Sequence, residues 1–513
     1  MANSDFQATV PDHLKQRLAA RRRADWRFRL YGRLSVILAI SVLLLLVGSI
    51  LFEARSAFSR YELELDITPT TADARELHAD LLDTLAETLS PDSNDPAVRA
   101  RLNDIFSVLH VAGLSRRLAD HEDDLNTARS VSLPISSEAG RYLDASPSIV
   151  HKVALGDEGV SGNNPQLTAR QLNRLDIASD AGDTASLAYV FSDDRAYLVL
   201  PQADGSARLD PVFDLAVPAK VKQTALVFTV PEAERLVALE TALILEVLRA
   251  NGMVDRRFNA DLFRKSDSSQ PELAGVFAAF LGTMMIIIVT MVISLPIGIA
   301  AAIYLEELAP KSAFTRFITV NITNLAAVPT IVFGLLGAAI LINGIRIGIP
   351  FTDLEVTLGG GLGRGWPLAG GLVLALMTLP TVIIASRSAI AGVSDTVRQG
   401  ALALGASRLQ MVSHHVLPGA LPGMVTGSII GLAQAIGEAA PLLLLGMFAF
   451  MGEPPAGVTD RSTALPVLIY QWSTRAERAF EPLTAAAIVI LLLIMLAMNG
   501  LAVWIRMKFE TKS

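Results

Sequence analysis

The 513-residue chain is 51% hydrophobic and only 18% charged, with a mean hydropathy of +0.45, a balance that excludes a disordered chain and argues against an ordinary soluble enzyme. It contains no cysteine, so disulfides, thiolate metal sites and cysteine nucleophiles are excluded. Its net charge of −7 is unevenly spread: residues 1–52 carry 8 Lys and Arg against 3 Asp and Glu, residues 53–270 carry 22 against 35, and residues 271–513 carry 13 against 12. A basic head, an acidic middle and an apolar remainder imply three surroundings, and no basic stripe offers itself to nucleic acid.

The basic head, residues 1–33, leads into Leu34–Phe52, 19 residues without a charge. At ~1.5 Å per residue this run crosses the ~30 Å hydrocarbon core as a first transmembrane helix. Glu53-Ala54-Arg55-Ser56 is not a small-residue cleavage site, so the helix is expected to stay as an anchor.

Residues 53–270 form an acidic soluble domain with both helices and strands. Thr71–Leu89 spaces Leu77, Leu81, Leu85 and Leu89 four apart, and Asp95-Pro96 reads as the start of a helix bearing Val98, Leu102, Ile105 and Leu109. Leu187–Phe191 and Ala196–Leu200 are β-prone runs around Ser192-Asp193-Asp194-Arg195, a hairpin signal. Pro231–Asn251 is a further helix, and Lys265–Pro271, rich in Ser, Asp and Pro, reads as the linker out of the domain.

Five more apolar runs follow, at about Leu273–Ala302, Phe317–Ile342, Pro367–Ile384, Pro422–Phe450 and Leu483–Trp504. The expected fold is a mainly α membrane protein: six transmembrane helices, with an α+β extracytoplasmic domain inserted between the first and second spans. With the N-terminus inside, the segments 1–33, 305–316, 385–421 and 506–513 hold 16 Lys and Arg against 5 in the loops 343–366 and 447–482. Both termini are therefore expected in the cytoplasm and the acidic domain outside.

Between the third and fourth spans, Gly359-Gly360-Gly361-Leu362-Gly363-Arg364-Gly365 has the composition of a flexible loop, with an anion nest as the competing reading. Neither a Gly-x4-Gly-Lys-Ser/Thr loop nor His-Glu-x-x-His is present, so no cofactor or metal is expected on this chain. Asn321, Asn324 and Thr330 on the third span are candidate substrate contacts, competing with interhelical hydrogen bonding. Arg387, just past the fourth span, reads equally as a candidate contact or a membrane-boundary anchor.

The loop 394–422 is polar, helical in pattern and interrupted by Gly405. Val397, Ala401 and Leu404 share one face, and a second piece, Ser407–Val416, ends at Leu417-Pro418. The fifth span carries a ridge of small residues, Gly423, Gly427, Gly431 and Ala435, extended by Ala439, suited to close helix packing. Beside it Thr426, Gln434 and Glu438 fall on the same four-residue repeat. A carboxylate within a span must face protein or water, which makes Glu438, with Gln434, a candidate for the substrate path.

Gln399-Gly400-Ala401-x3-Gly405-x9-His415-x-Leu417-Pro418 resembles the EAA loop of ABC importer permeases, Glu-Ala-Ala-x3-Gly-x9-Ile-x-Leu-Pro, in spacing throughout, with Gln399, Gly400 and His415 as substitutions. Pro296–Glu307, Ala327–Gly337 and Ile436–Leu443 resemble the PstA-type permease of the phosphate ABC importer, over about residues 271–505. The resemblance implies a permease core at 271–505 in a bacterial inner membrane, with 53–270 periplasmic and a cytoplasmic tail at 506–513. It implies ATPase coupling through Gln399, Gly400, Ala401, Gly405 and Ala406, with Leu417-Pro418 closing the motif. It also implies a second homologous permease, an ATPase dimer using ATP and Mg, and an extracytoplasmic phosphate-binding protein. Competing readings are a permease for phosphonate, sulfate or molybdate, and a membrane sensor with an outer ligand domain.

Overall fold

The structure is a computed structural model and describes residues 12–90, 96–121, 124–155, 166–175, 187–192, 195–202, 206–215, 217, 224–228, 235–348 and 355–510. The basic head does not stop before the membrane: helix α1 (Asp12–Ala54) is continuous through both. The chain then enters the outer domain by strand β1 (Ser59–Ile67).

In that domain, helices α2 (Ala74–Leu89), α3 (Pro96–Ile105) and α4 (Val108–Asp120) precede β2 (Arg129–Pro134) and α5 (Ser137–Ile149). Then come β3 (Val150–Ala154), β4 (Gln166–Leu167), α6 (Ala169–Arg174), β5 (Leu187–Ser192), β6 (Arg195–Pro201), β7 (Ala207–Asp214) and β8 (Thr224–Phe228). Helix α7 (Leu239–Ala250), β9 (Val254–Phe258) and the single turn α8 (Asp261–Arg264) lead back to the membrane. The strands form an antiparallel three-stranded sheet, β2-β1-β9, and a six-stranded sheet, β3-β8-β5-β6-β7-β4. One core joins β1, β5 and β8 to α2–α5 and α7, and a second covers the far face of the larger sheet with α6.

Asp73 caps α2 by accepting from the N–H groups of Arg75 and Glu76, so this helix starts later than its leucine pattern suggests. Leu77, Leu81, Leu85 and Leu89 are all fully buried. The next helix ends at Ile105; Ser107 starts another, and Leu109 lies on that one, 51% exposed. Asp95 and the hairpin tip Asp193-Asp194 lie outside the described residues, although β5 and β6 pair with Ser192 opposite Arg195. Helix α7 starts at Leu239, not Pro231; residues 235–238 are not helical and 231–234 lie outside the described residues.

In the membrane region, α9 (Phe277–Ile303) ends in a π-type turn at Tyr304–Leu308. Helices α10 (Ala313–Ala326) and α11 (Thr330–Gly337) follow, then the hairpin β10 (Ile345–Gly348) and β11 (Glu355–Leu358) and the helix α12 (Pro367–Ala391). Helices α13 (Asp395–Ala403), α14 (Arg408–Met411), α15 (Leu417–Ile436), α16 (Ala439–Leu442), α17 (Leu465–Ser473) and α18 (Phe480–Glu510) complete the chain. Among the described residues, five helices are long and apolar enough to cross a membrane, and a sixth crossing is a bent pair. The protein is thus a mainly α membrane protein with a large insertion after its first span. The spans pack in the order α9, α12, α15, α18, α1.

Two spans read as single apolar runs are broken. α10 and the continuation of α11 meet at 98°: Pro329 disfavours helical backbone at Val328, so one helix stops and another starts at Thr330. The fifth span ends at Ile436, and Glu438 is extended, with φ −82° and ψ 103°. Pro441 cannot donate an N–H to the carbonyl of Gly437, so α15 has no partner for its next turn. The fourth span also runs about two turns past Ile384, which places Arg387 inside α12.

The supposed linker is clamped. Asp267 is buried and accepts from Trp472 Nε1 at 2.8 Å, while Arg475 donates to the Ser268 carbonyl at 3.0 Å. Burial raises the Asp267 pKa against the lowering pull of Trp472 and Arg475. Glu272, next along, accepts from His110 at 2.9 Å and from Ser137; burial alone would raise its pKa, but these hydrogen bonds lower it. The outer domain therefore sits on the start of the second span through buried polar contacts.

Candidate functional site

The two proline-broken spans face each other at their breaks. Thr330, the first residue of α11, donates from Oγ1 to Glu438 Oε2 at 3.0 Å, which places a carboxylate at a helix N-terminus where negative charge is favoured. Close approach is possible because Gly334 has no side chain: a Cβ there would lie 2.7 Å from Pro441 Cα. Glu438 and Thr330 are half-buried, while Gln434, Asn321 and Asn324 are exposed. The break takes Glu438 off the helix that carries Gln434, so the two do not share one helical face. Asn321 donates to the Phe317 carbonyl on its own helix at 2.8 Å.

Arg387 is not gathered into this group. It binds Glu306 at 3.0 Å and Thr319 at 3.3 Å, joining α12 to the π-type turn after α9 and to α10 well before its break. The small-residue ridge of α15 lies on α12: a Cβ on Gly423, Gly427 or Gly431 would meet Ala389, Ala385 or Thr381 within 2.9 Å, and Ala435 is buried. Ala439 lies beyond the break and is not part of that ridge.

The loop 394–422 is a helix–turn–helix. Gly405 adopts φ +87°, its N–H bonds the Leu402 carbonyl and that of Ala406 bonds the Ala401 carbonyl, a Schellman stop for α13. Ser407 and Gln410 form a capping box that restarts the chain as α14, a Ser-x-x-Gln signal readable in the sequence. Leu417-Pro418 does not end this piece. A π-type turn at Val412–Val416 absorbs the missing N–H of Pro418 and the helix continues as α15. Ala401 is buried, but Leu404 is 92% exposed and Val397, Leu402 and Leu409 are exposed too, so Ala401 and Leu404 do not share a face. Gly400 has open space around it.

Two residues that sequence reasoning missed hold this loop. Arg398 binds Glu307 at 2.9 Å and the Ile390 carbonyl at 2.8 Å, tying α13 to the ends of both α9 and α12. Glu307 is nearly buried, and removing its partner leaves a charge uncompensated. Arg398→Ala should reduce uptake roughly tenfold, equivalent to ~1.4 kcal/mol, with unchanged membrane levels by blotting; full uptake would show that the clamp is dispensable.

In the glycine-rich loop, several of the N–H groups that an anion nest would need are already taken. The N–H groups of Gly360, Leu362, Gly365 and Trp366 bond the carbonyls of Ile340, Leu341, Leu445 and Gly363. Among the described residues no group of three or more His, Asp or Glu side chains could hold a metal ion.

Residues 294–510 match the family model described as "Binding-protein-dependent transport system inner membrane component", and residues 15–147 match a "Domain of unknown function (DUF3333)". The chain is 30% identical to the "Probable ABC transporter permease protein YqgH" of Bacillus subtilis strain 168, over 44% of this chain and 69% of that one. It is 29% identical to the "Phosphate transport system permease protein PstA" of Haemophilus influenzae, over 49% of this chain and 82% of that one. A solved inward-facing MetNI methionine ABC transporter shares 19% identity over 46% of this chain and 94% of that one, at a TM-score of 0.33, too low to bear on the fold.

Proposed function

The chain belongs to the family of binding-protein-dependent transport system inner membrane components and is a permease subunit of an ABC transporter, not an enzyme; on that premise we propose that it imports inorganic phosphate. It would pair with a second, homologous permease, receive phosphate from an extracytoplasmic binding protein, and be driven by an ATPase dimer using ATP and Mg. The observation that carries this reading is the pairing of an exposed apolar surface with a rigid clamp. Leu404, Leu402 and Leu409 stand exposed on the loop, while Arg398 fixes that loop to α9 and α12. An ATPase that moves α13 would move both helices, and through the ridge on α12 would move α15 and the Glu438 break at its end. Alternating access then follows from a bias between two packings.

Phosphate is favoured by the carboxylate. At neutral pH phosphate keeps at least one P–O–H, which Glu438 can accept, whereas sulfate offers no proton and meets only repulsion. Uptake of radiolabelled phosphate by the assembled transporter, undiminished by excess sulfate or molybdate, is the expected result; sulfate uptake instead would move the substrate to another oxyanion.

The orientation has its own test. Since the chain has no cysteine, single substitutions report directly. Thr88→Cys and Ser473→Cys should react with an impermeant maleimide from the extracytoplasmic side, while Lys311→Cys and Ser407→Cys should not. All four positions are exposed. Labelling at Ser407 from outside would invert the topology and remove the docking loop from the ATPase.

A further inference from the structure

The transport reading leaves unused a groove between the second and sixth spans. It has a volume of about 420 Å³ and is lined by Phe277 and Phe280 of α9 and by Ile490, Ile494 and Ala497 of α18, with Phe263 of the outer domain at its mouth. That volume is in the range of small-molecule sites, ~300–1,000 Å³, yet the lining is wholly apolar. Its depth follows from α18. Arg506 and Lys508 mark the inner end, with Lys508 over the Trp504 ring at 5.0 Å. At ~1.5 Å per residue, Ala497 and Ile490 lie on the order of 14 and 24 Å outward, so the groove runs from the middle of a ~30 Å hydrocarbon layer into its outer half.

The mouth is built for a membrane surface. Phe58, Phe263 and Phe258 stack in line with centroid separations of 6.1 and 6.2 Å, and Phe258 is 65% and Phe263 41% exposed. Exposed phenyl rings are costly in water and are among the side chains that bury at the boundary between headgroups and acyl chains. Arg264 follows Phe263, is exposed, and has no ion pair or side-chain hydrogen bond among the described residues, whereas Arg256, Arg257 and Lys265 are held by Asp144, Glu64 and Asp261.

We propose that the groove holds one acyl chain of an outer-leaflet phospholipid, with its phosphate at Arg264, so that a lipid is clamped between the outer domain and the second and sixth spans. The lipid is a structural ligand and is independent of which anion the protein carries. In the full transporter complex, exchanged into dioleoyl phosphatidylglycerol and then purified in mild detergent, native mass spectrometry should find one phospholipid retained per copy of this chain. Ala497→Trp, which fills the groove, should lower retention at least fivefold. Leu496→Trp, on the exposed side of α18, should leave it unchanged. Phe263→Ala and Arg264→Ala, which leave the span packing untouched, should each lower it, so the answer does not depend on one bulky variant folding. Retention by Ala497→Trp equal to that of Leu496→Trp, an unmodified complex free of lipid, or photocrosslinking from position 497 to a polypeptide in place of lipid would each overturn the assignment.

Discussion

Gly405→Pro should leave the protein in the membrane and reduce uptake to background, with the ATPase of the complex no longer stimulated by loaded binding protein. Proline fixes φ near −65°, whereas Gly405 needs +87°, and the substitution also deletes the N–H that bonds the Leu402 carbonyl. The stop of α13 and the restart at Ser407 cannot both survive it. Gly405→Ala separates geometry from bulk. A Cβ at this position would meet nothing within 4 Å, so its cost is the left-handed backbone alone, ~1–2 kcal/mol, and uptake should fall but persist. Wild-type stimulated turnover in the proline variant would remove this loop from the coupling path.

What could be read in advance was whatever hydropathy and local chemistry encode. The apolar runs marked the spans, and the Gly405 break and the leucine repeat of α2 are local signals. The bent third and fifth spans were not read, because an apolar window counts Ala327-Val328-Pro329 and Ala439-Ala440-Pro441 as membrane helix. Pro329 and Pro441 carried the information but resemble Pro296 and Pro380, which α9 and α12 accommodate without breaking. Contacts between distant residues left no local trace. Arg398 and Glu307 are 91 positions apart and Trp472 and Asp267 are 205 apart, so a clamp and a buried junction passed as a polar loop and a linker. Of the path candidates, Glu438 and Thr330 meet only because both spans break, while Arg387 is committed to Glu306.

That meeting makes Glu438→Gln a sharper experiment than spacing alone would. The amide has the size of the carboxylate and keeps a carbonyl oxygen for the Thr330 hydroxyl, so the contact between the two breaks persists and only the charge is lost. Phosphate uptake should fall more than tenfold, ~1.4 kcal/mol or more, at unchanged membrane levels. Thr330→Val, which removes the hydrogen bond and keeps the charge, should lower uptake less than Glu438→Gln does. Gln434 is exposed at the end of α15, so Gln434→Arg has room and should be tolerated or raise uptake by adding a cation near the path. The order of effects separates the two roles open to the carboxylate. A structural brace would make Thr330→Val the more costly change, since the amide keeps the contact, whereas a substrate contact makes the loss of charge dominate. Wild-type uptake by Glu438→Gln would mean that the carboxylate only braces the breaks, and the path would then run along the exposed face of α10 at Asn321 and Asn324.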